Sequence, residues 1–178
     1  MLEEHMERLY DALSNQHFGK YPGIVRNNVD DQKRGRIEVE VPTVLKKQRV
    51  WAMPCVPYAG KNGAGFYAIP DNESQVWVEF AGGNRNYPIW TGCFWPENAL
   101  AAADAKPGVK FWKTTSFLIR IDDDKGELSI EKTGGGKITV SATEITIEAP
   151  TVNQKSGAKK VALSQASFDV FDGALSVV

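Results

Sequence analysis

WAMPCVPYAGKNGAGFYAIPDNESQVWVEFAGGNRNYPIWTGCFW, residues 51–95, decides the fold and holds four of the five tryptophans. Short apolar-alternating runs are separated here by Ala59-Gly60, Asn62-Gly63, Pro70-Asp71-Asn72 and Ala81-Gly82-Gly83-Asn84. Runs of this length between such breakers are strand and turn signals. Gln75 to Phe80 is the clearest: Val76, Val78 and Phe80 point one way, and Gln75, Trp77 and Glu79 the other, the two-residue period of a half-buried strand. The stretch reads as all-β, turn-rich and free of histidine.

Upstream, Gly23–Arg26 and Arg36–Val41 read as two more strands joined by a polar loop, 27–35. In the second, Ile37, Val39 and Val41 alternate with Arg36, Glu38 and Glu40, one face buried and one wet. Pro42 ends it, because proline cannot continue the ladder of hydrogen bonds. Further strands are expected at Gly65–Ile69, Gln75–Phe80 and Pro88–Phe94. Five short strands suit a small closed barrel, which leaves no exposed edge. Before them, Leu2 to His17 is expected to be helical: Leu2, Met6, Leu9, Tyr10 and Leu13 form one apolar stripe. Glu3, Glu4 and Glu7 favour the helix dipole, and Gly19 is a stop signal.

Charge excludes some partners. The formal net charge is −1, so no global field draws the chain to nucleic acid or to anionic lipid. Residues 20–95 carry ten bases and seven acids, a bias well short of a polyanion-binding patch. The two cysteines, Cys55 and Cys93, are too few for a disulfide framework and are expected to be reduced, small hydrophobes in strand-like surroundings. Neither a Sec-type signal peptide nor a membrane-spanning run is read from the sequence.

Residues 96–112 turn to small residues and then Pro107-Gly108, and read as a connector. Beyond them apolar pairs recur two residues apart: Ile119/Ile121, Leu128/Ile130, Ile138/Val140, Ile145/Ile147, Val161/Leu163, Phe168/Val170 and Leu175/Val177, with a weaker element at Val152. Short polar turns lie between, and successive pairs are seven to ten residues apart except around Val152. This is a β-solenoid pattern. A lone ribbon would leave one side of its apolar stripe in water, and a single-chain solenoid in 66 residues would have only about three rungs and two open ends. Three chains wound together would bury every stripe on a common axis.

Several pieces together resemble a family. Tyr21-Pro22-Gly23-Ile24-Val25, Gly35-Arg36-Ile37 through Val41-Pro42, Trp51-Ala52 with Pro54, Pro57-Tyr58-Ala59-Gly60, Ile69-Pro70, Val76 to Phe80 and Pro88-Ile89-Trp90-Thr91-Gly92 look like the oligonucleotide/oligosaccharide-binding (OB) domain of contractile-tail spikes. Phage baseplate assembly protein V, the VgrG-like spikes of type VI secretion and extracellular injection systems share it. The resemblance implies a mainly β protein: an N-terminal amphipathic helix (1–19), a five-stranded OB-fold barrel (20–95), a linker (96–112) and a C-terminal triple-stranded β-helix (113–178) formed by a homotrimer. It implies a non-enzymatic needle that pierces the target envelope on sheath contraction and crosses the target outer membrane only transiently. A separate baseplate hub protein is expected to bind the OB and N-terminal end, because the hub domain of VgrG-like relatives is absent. The His-x-His metal tip of some phage spikes is also absent, so a PAAR-type tip protein is expected beyond Leu175-Ser176-Val177-Val178. Assembly in the bacterial cytoplasm, into a virion baseplate or an extracellular, tailocin-like particle, follows from the same resemblance.

No catalytic, cofactor-binding or metal-ligating residue is assigned. His5 and His17, the only histidines, are expected to be solvated helix residues; twelve residues of helix would separate them by about 18 Å. Asp122-Asp123-Asp124-Lys125-Gly126 lacks the alternation of a calcium loop, and Thr133-Gly134-Gly135-Gly136-Lys137 lacks the spacing of a phosphate loop. Both are expected to be turns. The rival reading is an OB-fold module for single-stranded nucleic acid, with Trp51, Tyr58, Phe66, Tyr67, Trp77 and Trp90 as a stacking platform. The small charge surplus and the solenoid pattern stand against it, and no nucleic-acid partner is expected.

Overall fold

The computed structural model describes residues 2–14, 16–170 and 174–177. It is mainly β and divides into two compact units, Met1–Ala99 and Leu100–Val178.

The first unit holds helix α1 (Leu2–Ser14) and strands β1 (Tyr21–Asn27), β2 (Ile37–Glu40), β3 (Arg49–Pro54), β4 (Gln75–Phe80) and β5 (Pro88–Phe94). They close into a barrel in the order β1-β2-β3-β5-β4, with β4 returning to β1. All neighbours are antiparallel except β3 and β5, which pair Met53 with Ile89 and Pro54 with Trp90. The expected alternation holds on β2 and β4: Ile37, Val39, Val76, Val78 and Phe80 point into the core with Val25, Val41, Leu45, Ala52 and Trp90. A four-residue helix, α2 (Pro42–Leu45), follows β2 and plugs the barrel with Leu45. Proline fits its first turn because no backbone donor is needed there.

One barrel strand differs from expectation. Gly65–Ile69 is not a strand; only an isolated bridge joins Gly65 to Ala59. Gly65 has φ +153°, and a Cβ there would stand 2.8 Å from the Tyr58 carbonyl oxygen. The fifth strand is β3, whose single buried side chain is Ala52. Val50, on the same side of the strand, is partly buried against the core, but Trp51 and Met53 are half-covered too, so the alternation on β3 is faint.

The second unit holds β6 (Val109–Lys113), β7 (Phe117–Asp122), β8 (Glu127–Lys132), β9 (Lys137–Val140) and β10 (Ile145–Glu148) in one sheet. A second sheet contains β11 (Thr151–Ser156), β12 (Lys159–Ser164), β13 (Phe168–Val170) and β14 (Leu175–Val177). Every pairing joins strands adjacent in sequence, and all are antiparallel. Within a chain this is a meander, without the parallel rungs of a single-chain solenoid. Strand β6 falls in the stretch expected to be connector. Asp122–Gly126 is the β7–β8 turn, where Asp122 accepts the Lys125 N–H at 3.2 Å and Lys110 pairs with Asp123. Thr133–Lys137 is the β8–β9 turn, with Gly134 at φ +66°, a left-handed conformation that suits glycine.

Candidate functional site

The registers in the second unit bring the apolar pairs into rows across the strands. Ile121, Leu128, Val140 and Ile145 form one row. Trp112, Ile119, Ile130, Ile138 and Ile147 form the next. At about 4.8 Å between strands the longer row extends about 19 Å. In the other sheet Val152, Leu163, Phe168 and Val177 make a third row, and Val161, Val170 and Leu175 a fourth. The opposite face of the first sheet carries Phe111, Arg120, Ser129, Thr139 and Thr146 in register.

Burial on that sheet is the reverse of a soluble half-covered sheet. On β8, Ser129 is 6% exposed while its neighbours Leu128 and Ile130 are 36% and 40% exposed. On β7, Arg120 is only partly exposed, pairs with Asp104 and reaches Asp122 at 3.7 Å. Asp122 is buried, whereas Ile119 and Ile121 are exposed. Ile145, Ile147, Leu163, Phe168, Leu175 and Val177 are exposed as well. A contiguous apolar face of this kind marks an interface.

The barrel has two distinct ends. Strands β1, β3 and β5 run one way and β2 and β4 the other. One end therefore carries residues 16–20, α2 with its following loop, and the β4–β5 loop. There His17 donates its backbone N–H to the Gly83 carbonyl at 2.8 Å. Its ring meets Tyr21 and Phe80 at centroid distances of 6.1 and 5.9 Å. Helix α1 ends at Ser14, so His17 lies past it and is half-buried against the barrel instead of solvated on the helix; His5 is exposed on α1.

The other end carries the β1–β2 loop and residues 55–74. Asp30 organises the first of these. Its carboxylate accepts backbone N–H groups from Gln32, Arg34 and Arg36 at 3.0, 2.8 and 3.2 Å, and is bonded by the Arg36 guanidinium at 2.6 Å. The Arg36 hydrogen bond, reinforced by those amides, holds the Asp30 carboxyl well below the ordinary carboxylate range. Arg36 also stands over the Trp51 ring, 5.1 Å from its centroid, a cation–π contact.

Of the six aromatic residues considered as a stacking platform, Trp90 is buried and donates its Nε1–H to the Gly35 carbonyl at 3.2 Å. Trp77 packs on Phe94 at 4.5 Å. Tyr58, Phe66 and Tyr67 line one groove with Lys33, Arg34 and Ile69. The two cysteines are free but exposed, not the buried hydrophobes expected; partial desolvation raises the Cys93 thiol, the opposite of an activated nucleophile. Sequence reasoning missed the place of Trp112 in the second row. Its signal was present: Lys110 and Trp112 alternate with Val109 and Phe111 after Pro107-Gly108.

No helix among the described residues is long and apolar enough to cross a membrane. Among curated proteins of known function, none matches the chain. Residues 21–95, the closed barrel almost to the residue, match the family described as the Type VI secretion system/phage-baseplate injector OB domain. That domain places residues 21–95 among baseplate-associated injector domains. Within this chain, residues 21–95 are thus the injector OB domain shared by type VI secretion systems and phage baseplates.

Proposed function

We propose that the chain is the homotrimeric central spike of a contractile injection apparatus, and that residues 113–178 of three copies wind into a triple-stranded β-helix. The supporting observation is the inverted sheet: the second unit turns its isoleucine rows to solvent while burying Asp122 and Ser129. Three such faces brought to one axis would cover the rows of all three, with the Arg120, Ser129 and Thr139 face outside. The domain match supplies the setting. In that setting the spike stands on a separate hub at the barrel end that carries α1, bears a PAAR-type tip protein, and pierces the target envelope when the sheath contracts. The work is mechanical, and no turnover is assigned to any side chain. Light scattering on the purified full chain tests this reading: a mass three times 19.6 kDa is expected, and a well-folded monomer at micromolar concentration would overturn it.

A second reading has its own observation. The groove of Tyr58, Phe66 and Tyr67 beside Lys33 and Arg34 has the make-up of a base-stacking surface. Salt-sensitive binding of a single-stranded oligonucleotide, lost on Tyr67→Ala, would favour it. The spike reading expects no such binding.

A further inference from the structure

Helix α1 is amphipathic with an open apolar stripe: Leu2, Met6, Leu9, Tyr10 and Leu13 are all at least half exposed. Its segment carries four acids against one base. The barrel end from which it springs has the opposite sign. Residues 42–49 supply Lys46, Lys47 and Arg49, and residues 81–87 supply Arg85; all four are exposed, and neither segment contains an acid. Lys20, at the same end, is paired with Glu79. Two exposed aromatics, Phe18 and Tyr87, lie among these cations. An acidic helix with an apolar stripe and a basic rim with exposed aromatics are thus complementary surfaces on one chain.

The chain does not close that contact on itself. Just past α1, the Gln16 N–H meets the Leu13 carbonyl at 3.2 Å and the His17 N–H meets the Gly83 carbonyl at 2.8 Å. A Cβ on Gly83 would stand 3.1 Å from the Phe18 ring and from Gln16, so the anchor is tightly seated. With these contacts in place the stripe stays exposed.

We propose that α1 is an arm that lies across the basic barrel end of a second copy of this chain, stripe on Phe18 and Tyr87, with Glu3 and Glu7 against Lys46, Lys47 and Arg49. The inference rests on the trimer reading, since a closed ring lets each copy give one arm and receive one. Two other arrangements are weaker. Three α1 helices bundled together would crowd like charges, and 13 residues make fewer than two heptads, too short for a stable coiled coil alone. Laid on the rim, the helix gains opposite charge, and tethering supplies a high effective concentration. The rim contacts are exposed and each contributes little, but several act together.

Cross-linking tests the arm. In the full-length chain with Cys55→Ser and Cys93→Ser, Glu7→Cys and Lys47→Cys are joined by a short bis-maleimide, and the heat-denatured product is sized. Covalent dimers and trimers are expected. Intrachain linkage alone, or no linkage from a species that scatters as a trimer, would overturn the proposal. A monomeric mass before cross-linking would instead sink the trimer reading beneath it. As a second measurement, Glu3→Lys with Glu7→Lys should speed proteolysis after residue 14 roughly tenfold. Adding Lys46→Glu and Lys47→Glu should restore protection, and failure of that rescue would count against the pairing.

Discussion

Ile138 is the most informative single side chain for the proposed trimer. It sits on β9 in the middle of a row, between Ile130 and Ile147, and keeps 39% of its surface exposed in the single chain. Full burial of an isoleucine side chain contributes about 1.5–3 kcal/mol. Covering the remaining fraction therefore contributes roughly 0.6–1.2 kcal/mol per chain, or roughly 2–3.5 kcal/mol over three chains. Ile138→Ala should raise the trimer dissociation constant roughly 30- to 300-fold, beyond any loss inside the separate chain. Ile138→Asp should do far more. Three unpaired carboxylates facing one axis would each cost several kcal/mol, on the order of 10 kcal/mol for the assembly. The control is Thr139→Asp, one residue along and on the opposite face in register with Ser129 and Thr146. Sedimentation equilibrium over a range of concentrations is the assay. Trimer retained in Thr139→Asp and lost in Ile138→Asp is the expected result. Equal behaviour of the two aspartates would refute the assignment of the apolar face to the interior.

Trp90→Phe keeps the ring in the barrel but leaves the buried Gly35 carbonyl without its donor, and should cost about 1–3 kcal/mol of unfolding free energy in denaturant titration. Asp30→Asn should flatten the acid limb of barrel stability. The Asp30 carboxyl is held below its ordinary range in the folded chain, so its contribution is complete above the unfolded carboxylate pKa, about 3.9, and is lost as pH falls from there toward the folded value. Circular dichroism from pH 6 to 2 should show the wild type losing its advantage over the variant, and parallel curves would contradict the role given to Arg36. Gly83→Ala places a Cβ against Phe18 at a φ of +76°, and should cost about 1 kcal/mol or more of stability while exposing the link near His17 to proteolysis.

How far the fold could be read depended on whether a strand's burial is two-sided and regular. Ile37 to Val41, Val76 to Phe80 and the isoleucine pairs of the second unit announce themselves, because each puts large apolar residues on one side of a pleat. Strand β3 did not, since its one fully buried residue is an alanine, its other positions from Val50 on are half-covered on both sides, and its last residue is Pro54. Gly65–Ile69 alternates equally well, yet the backbone there hugs Tyr58 and makes no ladder. Tryptophans were ambiguous for a related reason: Trp90 and Trp77 lie on neighbouring strands, and only position along the pleat sends one inward. The apolar face was legible as a pattern, but its inversion, with Ser129 covered and Leu128 open, was visible only in the fold. Cys93 shows the same limit, being strand-borne as expected but on the outer side.

For the proposed trimer, the meander of the second unit would set the timetable of assembly. Each ribbon pairs only with its sequence neighbours, so a single polypeptide can lay down its own hairpins rapidly through local contacts. What it cannot do unaided is hide what those hairpins display. The slow event should then be collision among finished ribbons, with a rate that climbs steeply with the number of chains present. Nearby ribosomes on one message would supply such crowding, and scarce synthesis would leave sticky half-products behind.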